Sequence, residues 1–248
     1  IETDQPHSYE VIWGIDPTQH EMPGSFEPRV TCKYSESPKL SLDQPLDSFR
    51  VHELLHGSTD PERVGLARRM RWRLLAPQTQ ETPIFFHMTQ SDSPSVRKLI
   101  DQMVDAGFEM LIYSFKSGFD FESTNETYID QLAKDVAYAK SKGIEVGGHD
   151  LIVWDKDKEG FPSKWIADTR NQYHGACMAS GWYDHLLEQY TSIMKRTGMT
   201  MVEADGPYPG YPCHATNHSH HKGFGDSVYQ QIQLQGKFFK ILHERGVF

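Results

Sequence analysis

The residues with the clearest chemical potential lie where a short strand-like segment, Met199–Ala204, delivers two acids, Glu203 and Asp205. Glycine and proline follow at once, so the strand opens into a rigid loop. A carboxylate at the carboxyl end of a strand, followed by such a loop, is how α/β barrels present catalytic groups. Because side chains alternate along a strand, Glu203 and Asp205 should point to the same face.

Carboxylates in this setting suit the cleavage of glycosidic bonds. That reaction needs one carboxylate as nucleophile or base and a second group as proton donor. Asp205 is the candidate nucleophile, because it ends its strand before Gly206, a residue that lets a ligand approach the backbone closely. Glu203 would bind a hydroxyl group or hold a neighbour, and an interior salt bridge is its alternative role. The sequence carries no nucleophilic-serine, phosphate-loop or dinucleotide motif.

Polar residues also follow three earlier strand-like segments. In a parallel sheet the carboxyl ends of the strands meet at one edge, so these side chains should converge. Together with Glu203, the candidates for substrate binding are His87, Lys116, His149, Asp150, Trp154 and Tyr208. A barrel that binds carbohydrate without chemistry, or an inactive remnant of an enzyme, is the alternative interpretation.

A histidine-rich segment, Cys213–His221, raises the question of a metal. Its histidines match no known spacing of metal ligands, so we expect neither a metal nor another cofactor. A metal-dependent hydrolase stays as a second alternative. The three cysteines, Cys32, Cys177 and Cys213, are too few for a disulfide framework, although one pair could form a disulfide in an oxidising compartment.

From residue 83 onward, apolar segments alternate with segments of helical periodicity, and each helix is followed by a glycine. The apolar segments predict strands at Ile84–Met88, Phe108–Phe115, Ile144–Val153 and Met199–Ala204. The helical spacing predicts helices at Ser95–Ala106, Asn125–Lys142, Ser180–Thr197 and Asp226–Arg245. Val247 and Phe248 would begin the next strand. Four β-α units in succession indicate a parallel sheet.

Two architectures contain such a sheet. A doubly wound sheet usually carries a glycine-rich loop after its first strand, and none follows His87 here. The long loops after the later strands favour a barrel. We therefore predict an α/β fold: the first half of a (β/α)8 TIM barrel, with strands and helices 1–4, over residues 83–248. Residues 1–60 would end an N-terminal β-domain, and residues 61–82 would form a linker whose arginines face solvent or form salt bridges between domains.

Composition limits the classes of partner that the protein can have. The net charge of −9 argues against a nucleic-acid surface, and no apolar run is long enough to span a membrane. We expect an oligosaccharide or polysaccharide as substrate and a secreted or periplasmic location, and we leave a homo-oligomer open. Both ends of the chain are expected to be cuts through a longer protein.

Several motifs, in order from Arg63 onward, resemble glycoside hydrolase family 36 and its relatives in the α-galactosidase clan. The matching segments are Leu66–Met70, Thr82–His87, Lys142–Gly148, Arg196–Asp205 and Asp226–Gln231. The fourth segment occupies the place of the family motif that ends in the nucleophilic aspartate. The resemblance implies a retaining exo-α-glycosidase in which Asp205 forms the glycosyl-enzyme, and a β-sandwich domain before the barrel.

The sequence departs from the family at two points. Where family α-galactosidases carry paired aspartates and a tryptophan after strand two, this chain has Tyr113–Asp120, which includes Lys116. An altered or anionic sugar is therefore an alternative to galactose. The family's acid/base carboxylate comes from a later strand, near the sixth, so the resemblance assigns that role to no residue before Phe248.

Overall fold

The computed structural model describes residues 10–15, 28–33, 54–77, 82–153, 161–170, 175–205 and 210–248. The chain forms two compact units. We call the first the sheet unit; it comprises Leu40–His149, Ile193–Glu203 and Gly246–Phe248. We call the second the loop unit; it comprises Ile1–Lys39, Asp150–Ser192 and Ala204–Arg245.

Strands and helices alternate through most of the described residues. The strands are β1 (Glu10–Ile15), β2 (Pro28–Lys33), β3 (Phe85–Met88), β4 (Met110–Tyr113), β5 (Glu145–Asp150) and β6 (Met201–Ala204). The helices are α1 (Pro61–Leu75), α2 (Ser93–Ala106), α3 (Glu126–Ser141), α4 (Trp182–Thr197) and α5 (Phe224–Glu244). Strands β3–β6 and helices α2–α5 each lie within a few residues of their predicted positions, and helix α1 lies in the segment that was predicted to be a linker.

The central sheet is parallel and has the strand order β3-β4-β5-β6. The register places His87 beside Ile112, and Ile112 beside Gly147. The amide of Phe248 donates to the Thr200 carbonyl and its own carbonyl accepts from the Val202 amide, so residue 248 bonds to the β6 segment. Four β-α units in this order form an incomplete (β/α) barrel, which confirms the predicted fold class.

Helix boundaries follow from capping chemistry. Asp60, Asp92 and Asn125 precede α1, α2 and α3, and their side chains accept hydrogen bonds from amides of the first turn. The glycines that were predicted to stop the four later helices all have a left-handed backbone, at Gly107, Gly143, Gly198 and Gly246. A left-handed residue ends a helix and turns the chain toward the next strand, and glycine adopts it without steric cost.

The core of the sheet unit lies between the sheet and helices α2 and α3. The apolar face predicted for α3 is buried in full, at Ile129, Leu132, Val136 and Ala139. One acid shares this interface: Asp135 is 3% exposed and accepts from the Arg97 guanidinium at 2.8 Å and from the Ser93 hydroxyl at 2.7 Å. These bonds satisfy a charge whose burial would otherwise be costly.

The loop unit has a separate aromatic core. Trp182, Tyr190 and Phe238 are fully buried, and the Trp182 indole donates to the Ile152 carbonyl at 2.8 Å. Strands β1 and β2 form an antiparallel pair. The β-sandwich and linker boundaries at residues 60 and 82 stay predictions. Among the described residues, no helix has the length and apolar character needed to cross a membrane.

Candidate active site

In the sheet unit, the side chains of His87 and Glu203 meet. His87 Nε2 lies 3.3 Å from Glu203 Oε2, and each side chain is 36% exposed. Within the described residues this oxygen is shielded from solvent and makes no hydrogen bond with good geometry. The oxygen therefore has an unused capacity to accept a hydrogen bond. Sequence left an interior salt bridge as the alternative role of Glu203, and the residue that its carboxylate meets is His87.

A residue without a side chain makes room beneath this contact. Gly147 lies between the strands of His87 and Glu203, in the same row as Ile112. A Cβ added to Gly147 would lie 2.7 Å from the Cβ of Met201, which is closer than carbon atoms can pack. Met201 clusters with Met110 and Ile112 on this face of the sheet. The face is therefore closely packed below His87 and Glu203, and polar at their level.

His149 and Lys116 are the other predicted site residues of the sheet unit. The half-buried His149 ring packs edge-on against Phe115, with ring centroids 5.9 Å apart. Lys116 is exposed, has a left-handed backbone with φ of 62°, and holds its ammonium group 5.2 Å from the centre of the Phe115 ring. Both residues thus contact Phe115, which joins the imidazole and the ammonium through one aromatic ring.

In the loop unit, Asp150 and Asp205 are neighbours. The Asp205 amide donates to the Asp150 carbonyl at 3.2 Å, so the two carboxylates extend from adjacent strand ends. The Asp150 carboxylate accepts from the Tyr190 hydroxyl at 2.5 Å and from the Leu151 amide at 2.8 Å. Asp205 has an exposed side chain. Sequence reasoning missed Tyr190, because the buried face of a helix gives no sign of which carboxylate it will meet.

The loops around Asp205 are held by one buried amide side chain. Gln231, on α5, donates from Nε2 to the Tyr211 carbonyl at 2.8 Å, and its Oε1 accepts from the Met178 amide at 3.2 Å. This links the segments that follow β5 and β6. Trp154 and Tyr208, both predicted to bind substrate, lie outside the described residues.

A cleft of about 490 Å³ opens beside β3 and α2 in the sheet unit. Its volume is in the range of small-molecule sites. Its wall mixes apolar side chains, Phe86, Met88 and Leu99, with polar ones that can bond to hydroxyls, among them His87, Thr89, Gln90, Lys98 and Gln102. His87 therefore faces both the cleft and Glu203.

A second cluster of reactive side chains lies in the loop unit. Ligand atoms of Cys177, Cys213, His218 and His221 are all within 4.8 Å of one another. The sequence drew attention to the histidines but not to Cys177, which lies on a different loop. The sequence does place Cys213, His218 and His221 close together. Three ligands from one segment do not complete a four-ligand metal site, and the fourth, Cys177, cannot be identified from sequence.

The fold has known counterparts. No protein-family model and no curated protein sequence matches this chain. Solved structures match it: a glycoside hydrolase family 36 α-galactosidase from Geobacillus stearothermophilus in complex with raffinose has a TM-score of 0.53 and 9% identity. The match covers 69% of this chain and 28% of that one. The galactosidase domain of an α-galactosidase–sucrose kinase gives 0.51 and 13%, over 70% and 27% of the two chains.

A third match is an α-N-acetylgalactosaminidase from Bifidobacterium bifidum in complex with GalNAc, with a TM-score of 0.50 and 11% identity over 76% of this chain and 40% of that one. At such identities the likeness defines the fold alone. The chain therefore shares the (β/α) barrel fold of these structures, and the predicted resemblance to family 36 is confirmed at the level of the fold. It spans less than half the length of each of these structures.

Proposed function

We propose that the protein is a retaining exo-α-glycosidase, similar to an α-galactosidase, and that Asp205 is its nucleophile. The observation that carries the proposal is the position of Asp205. It directly follows β6, the fourth strand of a parallel barrel sheet; its side chain is exposed, and its amide donates to the Asp150 carbonyl. Carboxyl ends of barrel strands are where such folds perform chemistry.

In this mechanism an Asp205 oxygen attacks the anomeric carbon of a terminal α-linked sugar. The bond to the leaving oxygen breaks as a separate carboxylic acid protonates that oxygen, and a covalent glycosyl-enzyme forms. Water then attacks the same carbon, gives up a proton to the carboxylate of that acid, and releases both the sugar and Asp205. The resemblance to family 36 attributes the acid to a later strand, so no residue of this chain is assigned to it.

The neighbouring side chains would orient the sugar. The carboxylate of Asp150 is held in place by Tyr190 and Leu151, and we propose that it binds a sugar hydroxyl. In the sheet unit, Glu203 and His87 are proposed as further polar contacts to the substrate. His149, Lys116, Trp154 and Tyr208 are proposed as further substrate contacts.

An intact protein with Asp205→Asn tests the assignment. The amide cannot form the glycosyl-enzyme, so turnover of an aryl α-glycoside should fall by at least about three orders of magnitude. Azide should then replace the carboxylate as the nucleophile at the anomeric carbon and give a glycosyl azide of β configuration, with release of the phenol. We therefore expect two results together: loss of normal turnover, and rescue of the reaction by azide.

Asp105→Asn is the matched control, since Asp105 is an exposed carboxylate on α2 and should leave turnover unchanged. Full activity of the Asp205→Asn protein would overturn the proposal. Titration of the intact protein with an oligosaccharide panel gives the other decisive result: binding without any released sugar would identify a carbohydrate-binding barrel instead.

A further inference from the structure

We propose that Cys177, Cys213, His218 and His221 bind a structural zinc ion that joins the two loops around the candidate active site. All four residues belong to the loop unit, and their ligand atoms converge to within 4.8 Å. Two thiolates and two imidazoles are a donor set that zinc prefers, because it is a borderline-soft ion with no geometric demand of its own.

The distances fit a tetrahedral ion. Zinc–sulfur and zinc–nitrogen bonds of about 2.3 and 2.0–2.1 Å place the ligand atoms of a tetrahedron roughly 3.3–3.8 Å apart. Cys213 Sγ lies 3.5 Å from His218 Nδ1, and His218 Nδ1 lies 3.0 Å from His221 Nε2. These separations need only small side-chain adjustments to surround an ion.

The groups behind the ligands are arranged as they are around bound metals. The Nδ1 atom of His221 lies 3.1 Å from the Gly223 carbonyl oxygen. That contact requires a proton on Nδ1, so the lone pair of Nε2 points into the cluster. The Asp168 amide donates to Cys213 Sγ at 3.3 Å. Amides directed at sulfur stabilise thiolates.

The burial of the cluster also favours a bound cation. Cys177 and Cys213 are fully buried and His221 is 5% exposed. Thiolates in such a setting carry negative charge away from water, and a bound metal cation would compensate it.

The site would be structural rather than catalytic. Four protein ligands fill a tetrahedron and leave no position for a reactive water, unlike the three-ligand sites of zinc hydrolases. Cys177 lies on the segment after β5, whereas the other ligands lie on the segment after β6, which starts at Asp205. One ion would therefore fasten the far end of the loop that begins with the candidate nucleophile. This inference is independent of the proposed reaction.

The test measures metal and not activity. The intact protein, purified under reducing conditions, should contain about one zinc per chain by mass spectrometry of the metal. Zinc-free protein reloaded with Co²⁺ should show a sulfur-to-cobalt charge-transfer band and the intense visible bands of a tetrahedral ion. His221→Gln and Cys177→Ser should each lower zinc affinity at least about tenfold.

His220→Gln is the matched control, because His220 adjoins His221 in sequence but bonds to Asp184 at 2.8 Å. It should retain zinc. Cys213→Asp keeps an anionic ligand, so it is a control for loss of zinc that is caused by misfolding alone. Weak zinc binding by this variant would support the site. Reduced, folded protein that binds no zinc, or a Cys177–Cys213 disulfide formed in full in the isolated protein, would overturn the inference.

Discussion

His87 and Glu203 are in contact although two strands, β4 and β5, separate the strands that carry them. On a flat sheet, three strand spacings of about 4.8 Å would place their backbones roughly 14 Å apart. Their side-chain atoms nevertheless lie 3.3 Å apart. The sheet is therefore curved strongly toward the face that bears both residues. That curvature is what a barrel requires, and it turns a pair of distant sequence positions into one polar surface.

The interaction between His87 and Glu203 should contribute little to the free energy of unfolding. Both side chains are about one-third exposed, so water screens their attraction. A double-mutant cycle with His87→Gln and Glu203→Gln should give a coupling free energy of about 0.2–1 kcal/mol in urea unfolding. A coupling above about 2 kcal/mol would contradict the inference that these residues are kept available for a ligand.

The buried carboxylate of Asp135 should matter far more to stability. Arg97→Met removes its charged partner and leaves the acid with Ser93 and Gln131 alone. We expect a loss of about 2–4 kcal/mol in the free energy of unfolding, because an uncompensated buried charge is costly. Arg196→Met is the control, since the Arg196–Glu126 pair is exposed and its loss should be much smaller. Equal losses in the two variants would contradict the prediction.

Replacing glycine by alanine should have opposite effects on stability at positions 147 and 236. Gly147→Ala forces a methyl group against the Cβ of Met201, so it should destabilise the protein by about 1–3 kcal/mol. Gly236 lies within α5 with open space around it, and Gly236→Ala should raise stability by up to about 1 kcal/mol through helix propensity. Thermal unfolding of both variants measures the contrast, and a stable Gly147→Ala protein would refute the packing argument.

The cap of α2 should give a pH-dependent effect. The Asp92 carboxylate accepts from the Ser95 amide at 3.0 Å, which lowers the pKa of Asp92 below its usual value. Because the folded-state pKa is the lower one, the stabilisation is complete above the unfolded-state pKa and is lost as pH falls through the folded-state pKa. Asp92→Ala should therefore lower the melting temperature at neutral pH and have a much smaller effect below about pH 3.

Asn125 caps α3 in the same way but carries no titratable group. Asn125→Ala should thus lower the melting temperature by a similar amount across the whole pH range. A pH-independent effect of Asp92→Ala, parallel to that of Asn125→Ala, would show that charge is not part of the α2 cap.

Lys116 should influence the choice of sugar if the proposed activity holds. Its exposed ammonium group can pair with a sugar carboxylate. Lys116→Met should lower kcat/KM for an aryl α-uronide at least about tenfold and leave that for a neutral aryl α-glycoside nearly unchanged. Lys240→Met, on the exposed face of α5, should alter neither value. A similar loss on both substrates would remove Lys116 as a determinant of specificity.

The alternation of strands and helices could be read from sequence because it depends on local signals. Apolar periodicity, capping side chains such as Asn125 and glycine stops such as Gly107 act within a few residues of chain. They predicted the order of the elements and the number of β-α units. For the same reason the sequence could place Asp205 at the end of a strand.

Only the tertiary structure decided which side chains meet. It paired Glu203 with His87, held Asp150 with Tyr190, and brought Cys177 to the thiol and imidazoles of the Cys213–His221 segment. The expectation of no metal considered spacing within that segment alone, where the fourth ligand is absent. Contacts between loops depend on how the whole core packs, and irregular segments carry no period from which such packing can be predicted.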